Sequence, residues 1–177
     1  MNEIYLVTPE YYHEEPVLDY RKECLDAGEK RINGSCGLHH YKKYADWMAA
    51  VERSRNTPIT EQTTRADGYL AFRAEDDRLV GTIQLRHTIP EPLKIAGGHI
   101  GYEIRPSERR KGYATAMLKE VLKVAKQLGL TEVRIDCDKG NTASRNTILA
   151  CGGEFDKELI YTVGDYSETV QHYVIML

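Results

Sequence analysis

No run of apolar residues in this 177-residue chain is long enough to span a membrane. The opening Met1-Asn2-Glu3-Ile4 lacks the basic segment and apolar stretch of a secretory leader. A soluble, cytoplasmic protein with no membrane partner is expected. Cysteine is sparse: Cys24, Cys36, Cys137 and Cys151 show no C-x-x-C pairing, so they read as reduced thiols rather than a disulfide framework. Charge of either sign is not in excess, with 24 Lys plus Arg against 27 Asp plus Glu. That balance gives no overall positive field to recruit nucleic acid. Two common phosphate cradles, G-x-x-x-x-G-K-[ST] and G-x-G-x-x-G, are missing from the one basic turn that could hold phosphate, which makes ATP and NAD poor ligands there. No repeat, low-complexity tract or shift in composition marks a second domain, and residues 1–177 are read as one.

What is present is an alternation of strand and helix patterns. Residues 4–8 read as a short strand. Residues 16–27 carry Val17, Tyr20, Cys24 and Leu25 on one helical face, with Gly28 at the stop. A polar, glycine-containing stretch leads to a second helix with Tyr44, Trp47, Met48 and Val51 at i, i+3, i+4 and i+7, ended by Asn56 and Pro58. Residues 69–74 and 79–85 are strand formers around Glu75-Asp76-Asp77-Arg78, a hairpin loop. A strand over 99–104 is cut off by Arg105-Pro106. From Gly112 to Leu128 the apolar stripe Ala114, Met117, Leu118, Val121, Leu122, Ala125 and Leu128 predicts the longest helix. A strand over 132–137, a short helix over 143–151 and a hairpin of 155–163 with 170–177 complete an α/β (α+β) chain, a mixed sheet flanked by helices.

Between the strand ending at Ile104 and that long helix lies Arg109-Arg110-Lys111-Gly112-Tyr113-Ala114. A tight turn there places backbone N–H groups at a helix N-terminus, where the macrodipole also favours an anion. Gly112 lets backbone approach a ligand closely, the small Ala114 does the same, and the three basic side chains add positive charge.

Ile104-Arg105-Pro106 followed by Arg109-x-x-Gly112-x-Ala114 resembles the signature of the GNAT superfamily of N-acetyltransferases. A second signature is similar too: Asn141-x-x-Ser144 on the short helix, which ends at Gly152-Gly153-Glu154-Phe155. The resemblance runs from Tyr69 to the C-terminus. It implies a single GNAT-like domain with a mixed, mostly antiparallel central sheet of about six to seven strands. Residues 67–177 would form the sheet and CoA core, and the strand and two helices of residues 1–66 would border the acceptor. Acetyl-CoA is the implied co-substrate, with no metal. The cofactor would be bound by Ile104 and Arg105, by Arg109, Arg110, Lys111, Gly112, Tyr113 and Ala114, whose turn would hold the pyrophosphate, and by Thr115. Asn141 would hold pantetheine, with Ser144 beside it. The partner would be a small-molecule or peptide amine, and the family's frequent dimers imply a possible homodimer.

Acyl transfer to an amine of pKa about 10.4 requires a base to remove a proton. Glu103 stands where the family often carries such a glutamate. By strand alternation it lies on the face opposite Ile100, Tyr102 and Ile104. A backbone N–H from the Ile104–Arg105 region would meet the oxyanion. Many relatives place a tyrosine seven residues after the helix asparagine as general acid, but this chain has Ile148 there. Tyr113, Tyr161, Tyr173 or water would then protonate the CoA thiolate, whose simple-thiol pKa of about 8.5 makes an acid less necessary. The same gap motivates the alternative of an acyl-CoA-binding sensor or scaffold without catalysis. Cys36, His39 and His40 cluster without a standard zinc spacing, and His39 and His40 could instead border the acceptor. Trp47 and Met48 read as core.

Overall fold

A computed structural model describes residues 3–177; Met1 and Asn2, half of the segment read for a leader, lie outside the described residues. The order is β1 (Ile4–Val7), α1 (Glu14–Asp26), α2 (Tyr44–Asn56), β2 (Ala66–Arg73), β3 (Leu79–Arg86), β4 (Ile100–Ile104), α3 (Tyr113–Gln127), β5 (Glu132–Asp138), α4 (Thr142–Ala150), β6 (Glu154–Val163) and β7 (Tyr166–Met176). Each expected element forms within a few residues of its expected bounds. Among the described residues no helix is long and apolar enough to cross a membrane.

The expected α/β fold of about six to seven mostly antiparallel strands flanked by helices forms, its seven strands divided between two antiparallel sheets in the orders β1-β2-β3-β4 and β5-β7-β6. The two sheets meet at the foot of β4. There the His99 N–H donates to Arg134 O at 2.7 Å. The His99 carbonyl accepts the Arg86 N–H, and the His99 ring accepts the Arg134 N–H at Nδ1, 2.9 Å away. Burial pushes the His99 pKa down to about 4, with Arg134 and Arg86 adding to the effect, so the ring is neutral and free to accept. Further along, the Tyr102 side chain stands between β4 and α4, its hydroxyl 2.8 Å from Ser144 Oγ. β4 and β5 therefore touch at one end and diverge at the other.

Both faces of the first sheet are covered. Val17 and Tyr20 of α1 and Trp47 and Val51 of α2 pack on Leu70, Phe72 and Leu79. Met117, Leu118, Val121 and Ala125 of α3 pack on the opposite face against Val80, Ile83, Ile100 and Ile104 and against Val133 and Ile135 of β5. Trp47 and Met48 are core, as expected, and Trp47 Nε1 donates to Ser35 O at 2.7 Å. The loop after α1 is drawn onto β4 at Gly34, which has φ +67°. A Cβ there would lie 2.2 Å from Gly101 O. Only glycine permits that approach, and it delivers Asn33 to the open end of the divergence.

Candidate active site

The divergence holds a cavity of about 390 Å³. It brings together Glu103 and Ile104 from β4, Arg109, Arg110, Gly112, Tyr113, Ala114 and Thr115 from the turn and α3, and Asn141 and Ser144 from α4. Asn33, Tyr102 and Glu108 also line it, and sequence reasoning had assigned none of them to the site. Arg105 and Lys111 are not among its lining residues. The Arg105 side chain, 2% exposed, runs the other way to Asp19 (2.8 Å) and Glu23 (3.2 Å) of α1, with its guanidinium over the Tyr20 ring. The structure thus places the Arg105 and Lys111 side chains away from the cavity lining. A strand residue after Ile104 alternates to the α1 side, and Lys111 is turned onto the buried Glu108 at 2.9 Å.

Glu108 explains the shape of the turn. Its carboxylate, almost fully buried, also meets Arg73 at 2.9 Å and Arg78 at 3.0 Å. Burial opposes ionisation, but the Lys111 hydrogen bond and the neighbouring arginines outweigh it and hold the acid below its ordinary pKa. Arg110 (φ 64°) and Gly112 (φ 84°) both adopt the left-handed conformation, and Gly112 is the N-cap of α3. The expected reason for Gly112 is only half of the account: a Cβ would meet no protein atom within 4 Å, so the strained φ, not crowding within the protein, demands glycine. The first intrahelical bond, Ala116 N–H to Gly112 O (3.1 Å), leaves the N–H groups of Tyr113, Ala114 and Thr115 without helical acceptors. No side chain caps them and no acid sits in the first turn. An anion placed there gains about 0.3–1 kcal/mol from the helix alone.

Glu103 is held from two sides: Arg109 Nη2 donates to Oε1 (3.0 Å) and Asn33 Nδ2 to Oε2 (3.3 Å). Burial raises its pKa above the ordinary carboxylate range; Arg109 opposes the rise and Glu29 adds to it. A raised carboxylate is a stronger base when ionised. The Arg105 N–H is spent on Val80 O at 2.8 Å. In the antiparallel alternation of β3 and β4 that turns the Ile104 N–H away from β3, toward the divergence. The Asn141 side chain caps α4 by accepting from Ser144 N (3.0 Å).

Of the tyrosines offered as proton donors, Tyr161 and Tyr173 do not line the cavity, and Tyr173 donates to Gln171. Tyr113 lines it, but its hydroxyl lies 3.4 Å from Arg73 Nη1. Ile148 is fully buried in the core. Tyr102, overlooked because its strand position reads as apolar packing, instead presents a hydroxyl paired with Ser144; burial pushes its pKa up to about 12. His39 Nδ1 accepts the Ile32 N–H (3.3 Å) and its ring packs on His40, which ties both to the loop. Among the described residues no group of three His, Cys, Asp or Glu is placed to hold a metal.

The family model of the acetyltransferase (GNAT) domain matches residues 38–154, about two thirds of the chain. The chain belongs to the GNAT acetyltransferases. The GNAT fold is shared at low identity by many solved structures. The microcin self-immunity acetyltransferase MccE, in complex with acetyl-CoA and AMP, superposes with TM-score 0.72 at 18% identity, covering 100% of this chain and 94% of that one. A GNAT-family acetyltransferase from Bacillus anthracis gives 0.66 at 18% identity, over 99% and 96%. A dodecameric spermidine N-acetyltransferase from Vibrio cholerae gives 0.67 at 14%, over 99% and 95%. No curated protein matches the sequence. The matched span of the GNAT model contains the cavity's β4, turn, α3 and α4 residues.

Proposed function

We propose that this GNAT enzyme moves an acetyl group from acetyl-CoA to a primary amine of a small molecule or peptide by direct attack in a ternary complex. The observation that carries the reading is the meeting, in one cavity, of the uncapped N-terminus of α3 with the Glu103 carboxylate and the open edge of β4. The pyrophosphate would accept from the α3 amides with Arg110 beside it, and pantetheine would run between β4 and α4 past Asn141 and Ser144. Glu103 takes the proton of the attacking amine. The amine nitrogen bonds the thioester carbon, the carbonyl electrons move to oxygen, and the Ile104 N–H stabilises that oxyanion. Collapse breaks the C–S bond, with the electron pair leaving on sulfur. The Tyr102–Ser144 hydroxyl pair donates to the departing thiolate, a role available although Ile148 is apolar.

Thiol release from acetyl-CoA, measured over polyamines, amino acids, aminoglycosides and peptides, tests the reading. At least one amine should be acetylated, and Glu103→Gln should lower kcat at neutral pH about 100-fold or more with acetyl-CoA binding retained. Binding of acetyl-CoA with no turnover of any amine would favour a sensor instead. Because Glu103 works ionised and its pKa is raised, kcat/KM should fall with decreasing pH at values above the ordinary glutamate range.

A further inference from the structure

The cofactor turn and the base share one guanidinium. Arg109 Nη2 reaches Glu103 Oε1 at 3.0 Å and Glu29 Oε1 at 2.5 Å, while its Nε donates to Ile104 O at 3.2 Å. Glu29 lies outside the cavity, on the loop after α1, and is fixed there by its own N–H donating to Cys24 O at 3.1 Å. A distant loop and two neighbouring segments therefore converge on a single cation between two carboxylates.

We propose that Glu29 is a positioning residue for acetyl transfer: it anchors Arg109 so that the guanidinium orients Glu103 without being surrendered to it. This inference rests on the reading of Glu103 as the base. A guanidinium facing one carboxylate closes on it with two parallel hydrogen bonds and leaves it a weak base. Here Glu29 competes for the same nitrogen, so Glu103 keeps one contact to Arg109 and gives its other oxygen to Asn33. The charged groups facing the carboxylate are Arg109 from the turn and Glu29 from the loop. Its other neighbours are neutral: Asn33 from the loop, Tyr20 and Cys24 from α1, and Thr82 opposite it on β3. The balance between one cation and one extra anion thus sets how tightly Glu103 holds a proton.

That balance has a signature that loss of packing cannot imitate, because removing the two partners moves Glu103 in opposite directions. Glu29→Gln deletes a like charge and frees Arg109 to close on Glu103, so the carboxyl should titrate at lower pH. Arg109→Gln deletes the counter-ion, so it should titrate at higher pH. The measurement is a ¹³C titration of the Glu103 side-chain carboxyl in labelled full-length protein, assigned by its loss in Glu103→Gln. It runs beside pH profiles of kcat/KM with an amine that the wild-type protein acetylates. Glu29→Gln should also lower kcat about tenfold with the acetyl-CoA Kd unchanged, since Glu29 does not line the cavity. If Arg109→Gln does not fold, Arg109→Lys replaces it: a point charge cannot span both carboxylates, so its hold on Glu103 weakens, the rate should fall and the carboxyl should titrate at higher pH than in the wild-type protein. Titration shifts in the same direction, or none, would overturn the inference, as would an unchanged Glu29→Gln rate. Failure of the wild-type protein to acetylate any amine would overturn the functional reading itself, while the carboxyl titration still reports the geometry.

Discussion

Two residues show how differently similar side chains can be used. Arg105 and Arg109 both flank the end of β4, yet only Arg109 lines the cavity. Arg105 is sealed against α1 by Asp19 and Glu23 and by the Tyr20 ring. Its partners are partly solvent-accessible, so they rehydrate when it is removed, and the loss is mainly one of packing and desolvated pairing. Arg105→Met should lower unfolding free energy by about 1–3 kcal/mol in urea titration and leave the acetyl-CoA Kd unchanged. Tyr102 is the converse case. Its phenol was hidden in an alternation that reads as core, but its hydroxyl sits on Ser144 at the cavity wall. Tyr102→Phe should reduce kcat about tenfold with little change in acetyl-CoA Kd, because a thiolate of pKa about 8.5 leaves tolerably without a proton donor. A loss as large as that for Glu103→Gln would mean that the ring does more than donate.

At the scale of an element, α3 was the most legible part of the chain. Its stripe predicts a helix over 112–128, and the helix is Tyr113–Gln127. The period of 3.6, with Gly112 before it and Gly129 after it, is local information, carried by adjacent residues. The strands that started earlier than expected are less local. β2 takes in Ala66, Asp67 and Gly68, which do not look like strand formers. Asp67 is held by His87 at 2.7 Å, and a Cβ on Gly68 would press on the Cys36 sulfur at 3.0 Å. β7 likewise begins at Tyr166 because β6 supplies its partner, down to Ser167 opposite Thr162. For the N-terminus of α3 the consequence is testable. Gly112→Val imposes a left-handed β-branched residue and also fills space that the pyrophosphate would use. It should abolish detectable acetyl-CoA binding by calorimetry. Arg110→Ala keeps the same φ and removes only charge, so Kd should rise about three- to tenfold. Equal small effects from both would place the phosphates elsewhere.

For the whole molecule, the decisive feature is that two sheets touch at one end and part at the other, and this is what could not be read from the sequence. The expected strands were right, but how β4 meets β5 involves contacts such as the His99 ring accepting the Arg134 N–H, 35 positions away in the chain. Glu29, Asn33 and Arg109 converge on Glu103 for a similar reason, through Gly34 crossing Gly101. Motifs therefore marked out the turn before α3, and only the fold brings together what surrounds Glu103. The joint also makes stability depend on pH. His99 accepts a hydrogen bond only when neutral, and its folded pKa of about 4 lies below the ordinary histidine value of 6.5. The unfolded chain therefore takes up this proton first as pH falls. The contribution is fully present above about pH 6.5 and is lost progressively toward pH 4. Glutamates and aspartates begin to titrate in the lower part of that window, so the comparison belongs between pH 7 and 5, against a variant. His99→Gln keeps a side-chain acceptor that does not protonate. Its urea midpoint should fall less steeply with pH than that of the wild-type protein across that range. Parallel slopes would show that His99 is not the titrating group.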